Sequence, residues 1–281
     1  MIHILTVHWK SDDWIDIQIK YINEFVKEPY KIYAYLNYVP NAEAHRKKFH
    51  YCCQDNIESH AIKLNLLAEK ACLNSKDDDL LMFIDGDAFP ISDISEFVKT
   101  SLKEHNLTAV QRFENNGDIQ PHPCFCMTTV KFWKEIQGDW TFGKKNWKDI
   151  FGNKVWDVGG KLLYLLEQNN EPWYKLLRSN TDNSLHPLMF GVYNDVVYHH
   201  GCGFRDPEMR IDELKVKNRK RKVKIFKFAK RFLSQSLARK WFLPLNNTIK
   251  KNQTKSKKVF DEINADFYFY KKLIKKNTNT P

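Results

Sequence analysis

Asp85 and Asp87, with only Gly86 between them, follow the apolar run Leu80-Leu81-Met82-Phe83-Ile84 and are the residues of this chain best suited to chemistry. Five apolar residues bounded by charge on one side and Pro90 beyond predict a buried, parallel strand covered on both faces. The carboxylates then lie at its mouth. Side chains repeat every two residues along a strand, so Asp85 and Asp87 project to one side while strand geometry lasts, and Gly86 lets a ligand approach the backbone. Hard oxygen ligands at this spacing suit Mg²⁺ or Mn²⁺ shared with a phosphate. An ordinary Asp-Gly turn after a core strand is the chemistry-free alternative.

A second group of polar residues ends another strand. Val196-Val197-Tyr198-His199-His200-Gly201-Cys202-Gly203-Phe204-Arg205 runs from apolar residues into two histidines, two glycines and an arginine. Adjacent histidines on a strand face opposite ways, so at most one of them is expected to be a ligand, with the other a satisfied polar residue. The glycines would let backbone amides approach a phosphate, and Arg205 would neutralise a departing diphosphate. Asp157, in Trp156-Asp157-Val158-Gly159-Gly160, precedes an apolar helix and reads either as its cap or as a carboxylate aimed into a cleft as a general base. The loops around Trp140 and Phe142 are rich in rings that could stack on sugar faces or simply anchor the core. Cys124-Phe125-Cys126 is spaced too closely for a zinc knuckle, and the six cysteines read as reduced, structural thiols.

Alternating elements are needed to position these residues. Strands are expected at 2–7, 31–36, 80–84 and 108–112. Helices are expected after Asp12-Asp13, with Trp14, Ile17, Tyr21, Ile22 and Phe25 inward, from His60 with Ile62, Leu66, Leu67 and Ala71 inward, and over 92–105, 129–136 and 161–167. This order predicts an α/β fold with a mostly parallel sheet between helices, whose ligands bind beyond the carboxyl ends of the strands.

Charge divides the 281 residues in two. Residues 211–281 hold 21 Lys+Arg against 5 Asp+Glu, while 1–210 hold 24 against 29. Two domains are expected, a body over 1–210 and a basic helical tail over 211–281. Around Arg219-Lys220-Arg221-Lys222 the tail gathers Ile225, Phe226, Phe228, Ala229, Phe232, Leu233 and Leu237, which predicts an interfacial helix over 215–241 on an anionic membrane. Packing on the body is the second reading; nucleic acid is not an expected partner, because no reading element is present. Residues 245–258 read as a linker before a last helix around Val259–Lys275. Without a membrane-spanning run or a signal peptide, the expected location is cytoplasmic, peripheral on the inner face of the membrane.

These residues together resemble the GT-A nucleotide-sugar glycosyltransferases, with the likeness covering residues 1–210 as architecture and about a dozen positions as motif. The resemblance implies a Rossmann-like three-layer sandwich with Asp85-Gly86-Asp87 as the D-x-D motif, Asp85 near the nucleoside and Asp87 on the cation. It also implies a ligand from an H-x-x-G segment, a spacing that His200 fits and His199 does not. Asp157 would be the base of an inverting, hexosyltransferase-type enzyme, with a nucleoside-diphosphate sugar as donor and a glycan or lipid-linked acceptor, in cell-surface polysaccharide or glycolipid synthesis. Two alternatives stay open. One is a haloacid-dehalogenase-type phosphatase, which also places D-x-D after an apolar strand, and the other is a non-catalytic sugar- or membrane-binding module.

Overall fold

The computed structural model describes residues 1–115, 117–143, 145–148, 154–180, 186–204 and 246–274, and between 205 and 245 only 225, 228–229, 231–234 and 237. Its strands are β1 (Ile2–Trp9), β2 (Tyr30–Asn37), β3 (Tyr51–Cys53), β4 (Leu80–Asp85), β5 (Ala88–Pro90), β6 (Leu107–Val110), β7 (His122–Thr129), β8 (Trp147–Lys148), β9 (Lys154–Val155), β10 (Tyr174–Leu176), β11 (Gly191–Tyr193) and β12 (Val197–His199). The helices are α1 (Ile15–Phe25), α2 (Ala42–Arg46), α3 (His60–Cys72), α4 (Ile94–Glu104), α5 (Val130–Glu135), α6 (Gly160–Gln168) and α7 (Asn246–Ala265). Seven strands form the main sheet in the order β10-β6-β7-β4-β1-β2-β3, and β7 alone runs antiparallel to its neighbours β4 and β6.

The three-layer sandwich follows from the strand sequences. In β1 and β4, Ile2, Ile4, Met82 and Ile84 face one layer with Ile15 and Ile22 of α1 and Ile94 of α4. Leu5, Val7, Leu81 and Phe83 face the other, against Leu64, Leu67 and Ala71 of α3, Trp133 of α5 and Leu162 of α6. Apolar side chains on both faces leave these strands no stable place except the middle of a covered sheet. Caps begin the helices where the sequence offers an oxygen: Ser59, Asp93 and Thr129 accept from the backbone N–H groups of Ile62, Ser95 and Phe132.

Two expectations change. Helix α3 is rotated from the expected phase, so that Ala61, Lys63 and Leu64 are buried while Ile62 and Leu66 are exposed. Its inner face passes the polar edge of the sheet, which draws His60 and Lys63 inward against the hydrophobic pattern. The linker expected at 245–258 belongs to α7, a continuous helix of 20 residues.

Contacts divide the chain into two units: one of Met1–Asp182, Pro187–Phe204 and Tyr268–Pro281, the other of Asn183–His186 and Arg205–Phe267. The described residues from Tyr268 onward group with the first unit. There Phe269 and Tyr270, 2% and 5% exposed, close an aromatic cluster. The Phe269 ring lies 4.9 Å from that of Tyr198 and 6.2 Å from that of Phe89, and Tyr21 stacks on Phe89 at 4.2 Å. Phe269→Ala is expected to lower the unfolding free energy by about 3 kcal/mol or more, the usual cost of emptying a buried phenylalanine site, as read by urea denaturation.

Candidate functional site

The parallel strands end along one edge of the main sheet, and the antiparallel β7 begins there at His122. From the end of β4 at Asp85 the chain turns through Gly86 and Asp87 into β5, which pairs antiparallel with β12. That register sets His199 opposite Ala88 and so beside the turn. Its Nε2 is 3.3 Å from Asp87 Oδ1 and 3.7 Å from Asp85 Oδ2. One ligand atom from each of Asp85, Asp87 and His199 falls within 4.8 Å of the others.

His200 takes the opposite face, as strand alternation requires. Its Nδ1 is 3.0 Å from the Tyr198 hydroxyl and its ring packs 4.6 Å from Trp14. The imidazole beside the carboxylates is thus His199 rather than the His200 expected from its spacing to glycine. The pairing register with β5 decides between them, and spacing along the chain does not reveal it.

Backbone groups complete the cradle. Gly203 N–H donates to Asp87 Oδ2 at 2.9 Å, and His200 N–H to the Asp87 carbonyl at 2.9 Å. A Cβ on Gly203 would lie 2.7 Å from Asp87 Oδ2, and one on Gly86 would meet Val7 O at 2.6 Å and His8 Nδ1 at 2.8 Å. Glycine at both positions follows from this close approach rather than from turn propensity. Asp85 Oδ1 is 3.0 Å from Nε2 of His60, the first residue of α3.

Charge in this pocket is paired. Burial would raise the Asp87 carboxyl, but the His199 imidazole and the Gly203 N–H hold it well below the usual carboxylate range. Burial would likewise lower His199, yet Asp87 and Cys124 raise it well above an ordinary histidine. In the other two histidines burial outweighs the pull of Asp87: His8 is pushed down to about 4 and His200 to about 3.

These two buried neutral histidines set an acid response. Between pH 6.5 and about 4 the unfolded chain binds the protons that native His8 and His200 refuse, so the unfolding free energy falls as pH falls. The expected slope is up to about 1.4 kcal/mol per pH unit for each histidine. Urea denaturation at pH 7 and pH 4.5 checks it, and His8→Leu should flatten the slope.

Farther along the same edge, two residues past the end of β6, Arg112 is buried, with Nη2 2.9 Å from Asp157 Oδ2 and 3.8 Å from Asp118 Oδ2. Asp157 Oδ1 accepts from the Val158 N–H at 2.9 Å. Helix α6 is capped instead by Gly159, whose φ of 97° puts it in the left-handed region. Burial pushes the Asp118 carboxyl up to about 6 against the pull of Arg112. Of the rings considered for sugar stacking, Trp140 is a fully buried core residue against Phe83 and Trp133, whereas Phe142 is exposed. Arg205 lies outside the described residues, as does most of 215–241.

The sequence reading missed His60, Arg112 and Asp118. Arg112 carried the same signal as Asp85, a charge at the end of an apolar strand, while His60 and Asp118 had none that distinguishes them from surface polar residues.

No family model matches the sequence, and no curated protein is similar to it. Among solved structures, the mannosyltransferase PcManGT from Pyrobaculum calidifontis, in complex with GDP-Man and Mn²⁺, superposes with a TM-score of 0.43 at 8% identity, over 65% of this chain and 58% of that one. S. aureus TarS 1–349 gives a TM-score of 0.42 at 10% identity, over 64% and 58%. The glycosyltransferase GlyE of Streptococcus pneumoniae TIGR4 gives 0.36 at 12%, over 60% and 39%. The chain spans less than two thirds of the length of each of these, and the likeness is one of fold alone.

Proposed function

We propose that this protein is a metal-dependent glycosyltransferase that moves a sugar from a nucleoside-diphosphate sugar to a hydroxyl of a glycan or lipid-linked acceptor. The observation that carries the reading is the meeting of Asp85, Asp87 and His199 at the carboxyl edge of a mostly parallel sheet. Two hard carboxylates and one imidazole suit Mn²⁺ or Mg²⁺, and the ion pair between buried Asp87 and His199 marks a pocket built for compensated charge. Bound there, such an ion stabilises negative charge on a departing diphosphate.

The chain's own residues divide the remaining work. Asp87 and His199 would hold the cation, and Asp85, tethered by His60, would serve both the cation and the nucleoside. Arg205 is assigned to the diphosphate on its sequence position alone. Asp157 is the base that takes the proton of the acceptor hydroxyl in an inverting hexosyl transfer. Among the described residues its two oxygens each accept one hydrogen bond, from Arg112 and from Val158, which leaves each a lone pair for the acceptor. Asp157→Asn is then expected to lower kcat by about 100-fold or more with the KM for donor nearly unchanged.

The basic charge of 211–281 and the exposed Phe228 and Phe232 support an anionic membrane surface as the place of work, in keeping with a lipid-linked acceptor. Among the described residues no helix is long and apolar enough to cross a membrane.

Melting the purified protein with UDP, GDP, CMP, dTDP and their sugars, with Mn²⁺ or with a chelator, tests the reading. One nucleoside diphosphate at a hundredfold excess over its Kd should raise Tm by roughly 5–10 °C with Mn²⁺ and not with chelator. Absence of any rise, together with hydrolysis of a generic phosphate ester that Asp85→Asn abolishes, would replace it with the phosphatase.

A further inference from the structure

Gln18 is 1% exposed and lies on α1, a helix whose other inward residues, Ile15, Ile17, Tyr21 and Ile22, are apolar or aromatic. A carboxamide in such a place is costly unless its oxygen and both N–H groups are bonded. Here they are. Its Oε1 accepts from the Thr6 hydroxyl of β1 at 2.9 Å. Its Nε2 donates to the carbonyl of Asp85 at 2.8 Å and to that of Ala88 at 2.7 Å.

Those two carbonyls are the ends of the turn that contains Gly86 and Asp87. One amide group therefore spans the turn and fixes the separation of its two ends. The Thr6 hydroxyl, by donating to the oxygen, settles which end of the amide faces the turn; a reversed amide would oppose oxygen to two carbonyl oxygens. From the other side the turn is held by the His200 N–H on the Asp87 carbonyl. We infer that Gln18 is a positioning residue, which sets the relative placement of the Asp85 and Asp87 carboxylates and so the strength with which the site holds a divalent cation.

The inference rests on the metal-dependent reading above, and the test separates the two. Mn²⁺ binding to the full-length protein is read by the loss of the free-ion EPR signal, in wild type, Gln18→Met, Thr6→Val and Ile22→Ala. Gln18→Met keeps the length of the side chain and removes both donors. It is expected to bind Mn²⁺ about 10–100-fold more weakly than wild type, the usual scale for loss of a group that orients a metal ligand. Ile22→Ala also loosens α1, one turn on, without removing a hydrogen bond to the turn, and is expected to bind as wild type does although it melts earlier. Equal affinity in wild type and Gln18→Met, or equal weakening in Gln18→Met and Ile22→Ala, would overturn the inference. Should Gln18→Met fail to fold, Thr6→Val decides: it frees the amide to reverse and should weaken binding severalfold, and unchanged affinity there overturns it. A wild-type protein that does not bind Mn²⁺ overturns the metal-dependent reading and this inference with it.

Discussion

Asp87→Asn is expected to weaken Mn²⁺ binding, and the binding of a nucleoside diphosphate that depends on it, by more than about 100-fold, beyond the range found for groups that merely orient a ligand. Asparagine keeps the shape of the side chain and an oxygen for the Gly203 N–H, so the loss reports the missing charge rather than a missing contact. The buried carboxylate is also the counter-charge of His199, which in the variant returns toward its neutral form as burial prefers. Folding should therefore survive. Isothermal titration with Mn²⁺ and far-UV circular dichroism check both halves of the expectation. His199→Ala should share the loss of affinity, whereas His200→Phe, at a position among the rings of Trp14 and Phe190, should leave it within a few-fold. Affinity retained in Asp87→Asn and lost in His200→Phe would show that the cation is held by the opposite face of β12.

The same comparison shows how far the sequence carries. A strand with apolar residues on both faces has one kind of home, so the central position of β4 and the exposure of its end at the carboxyl edge were legible from Leu80–Asp87 alone. The antiparallel insertion of β7 was not, because Pro121 and Pro123 give that stretch the composition of a loop while its pairing with β4 and β6 is long-range. Which histidine meets the carboxylates depends on the register between β5 and β12, and a shift of one residue would exchange His199 for His200. The inward turn of His60 and Lys63 was hidden for a related reason. Periodicity reports where a helix meets apolar neighbours, and α3 runs from the apolar face of the sheet to its polar edge, where Lys63 finds the Asn37 carboxamide at 3.2 Å. Asp157 could be read as a cap because Asp before an apolar helix usually is one, and only the arrival of Arg112 from β6 gives it another partner.

Arg112→Leu is expected to destabilise the protein by about 3–5 kcal/mol at pH 7.5, the cost of leaving a buried charge without its partner. The guanidinium is 2.9 Å from Asp157 and 3.8 Å from Asp118, and the side chain of Asp118 is fully buried. Removing the cation strands both carboxylates, and among the described residues Asp118 keeps the Gln120 N–H and the Asn115 carboxamide to solvate it. Arg112→Lys should recover little, because a single ammonium cannot span two carboxylates at the angle of a planar guanidinium. The effect carries its own pH signature. Burial already pushes Asp118 up to about 6, and losing Arg112 raises it further, so acidification lets that carboxyl neutralise and relieves the variant. Denaturation at pH 5 should accordingly show a smaller difference from wild type than at pH 7.5, and Arg112→Leu combined with Asp118→Asn should recover part of the loss at the higher pH. A difference below about 1 kcal/mol at pH 7.5, or one that does not change with pH, would mean that water reaches these carboxylates and that Arg112 acts on Asp157 as a solvated surface pair does.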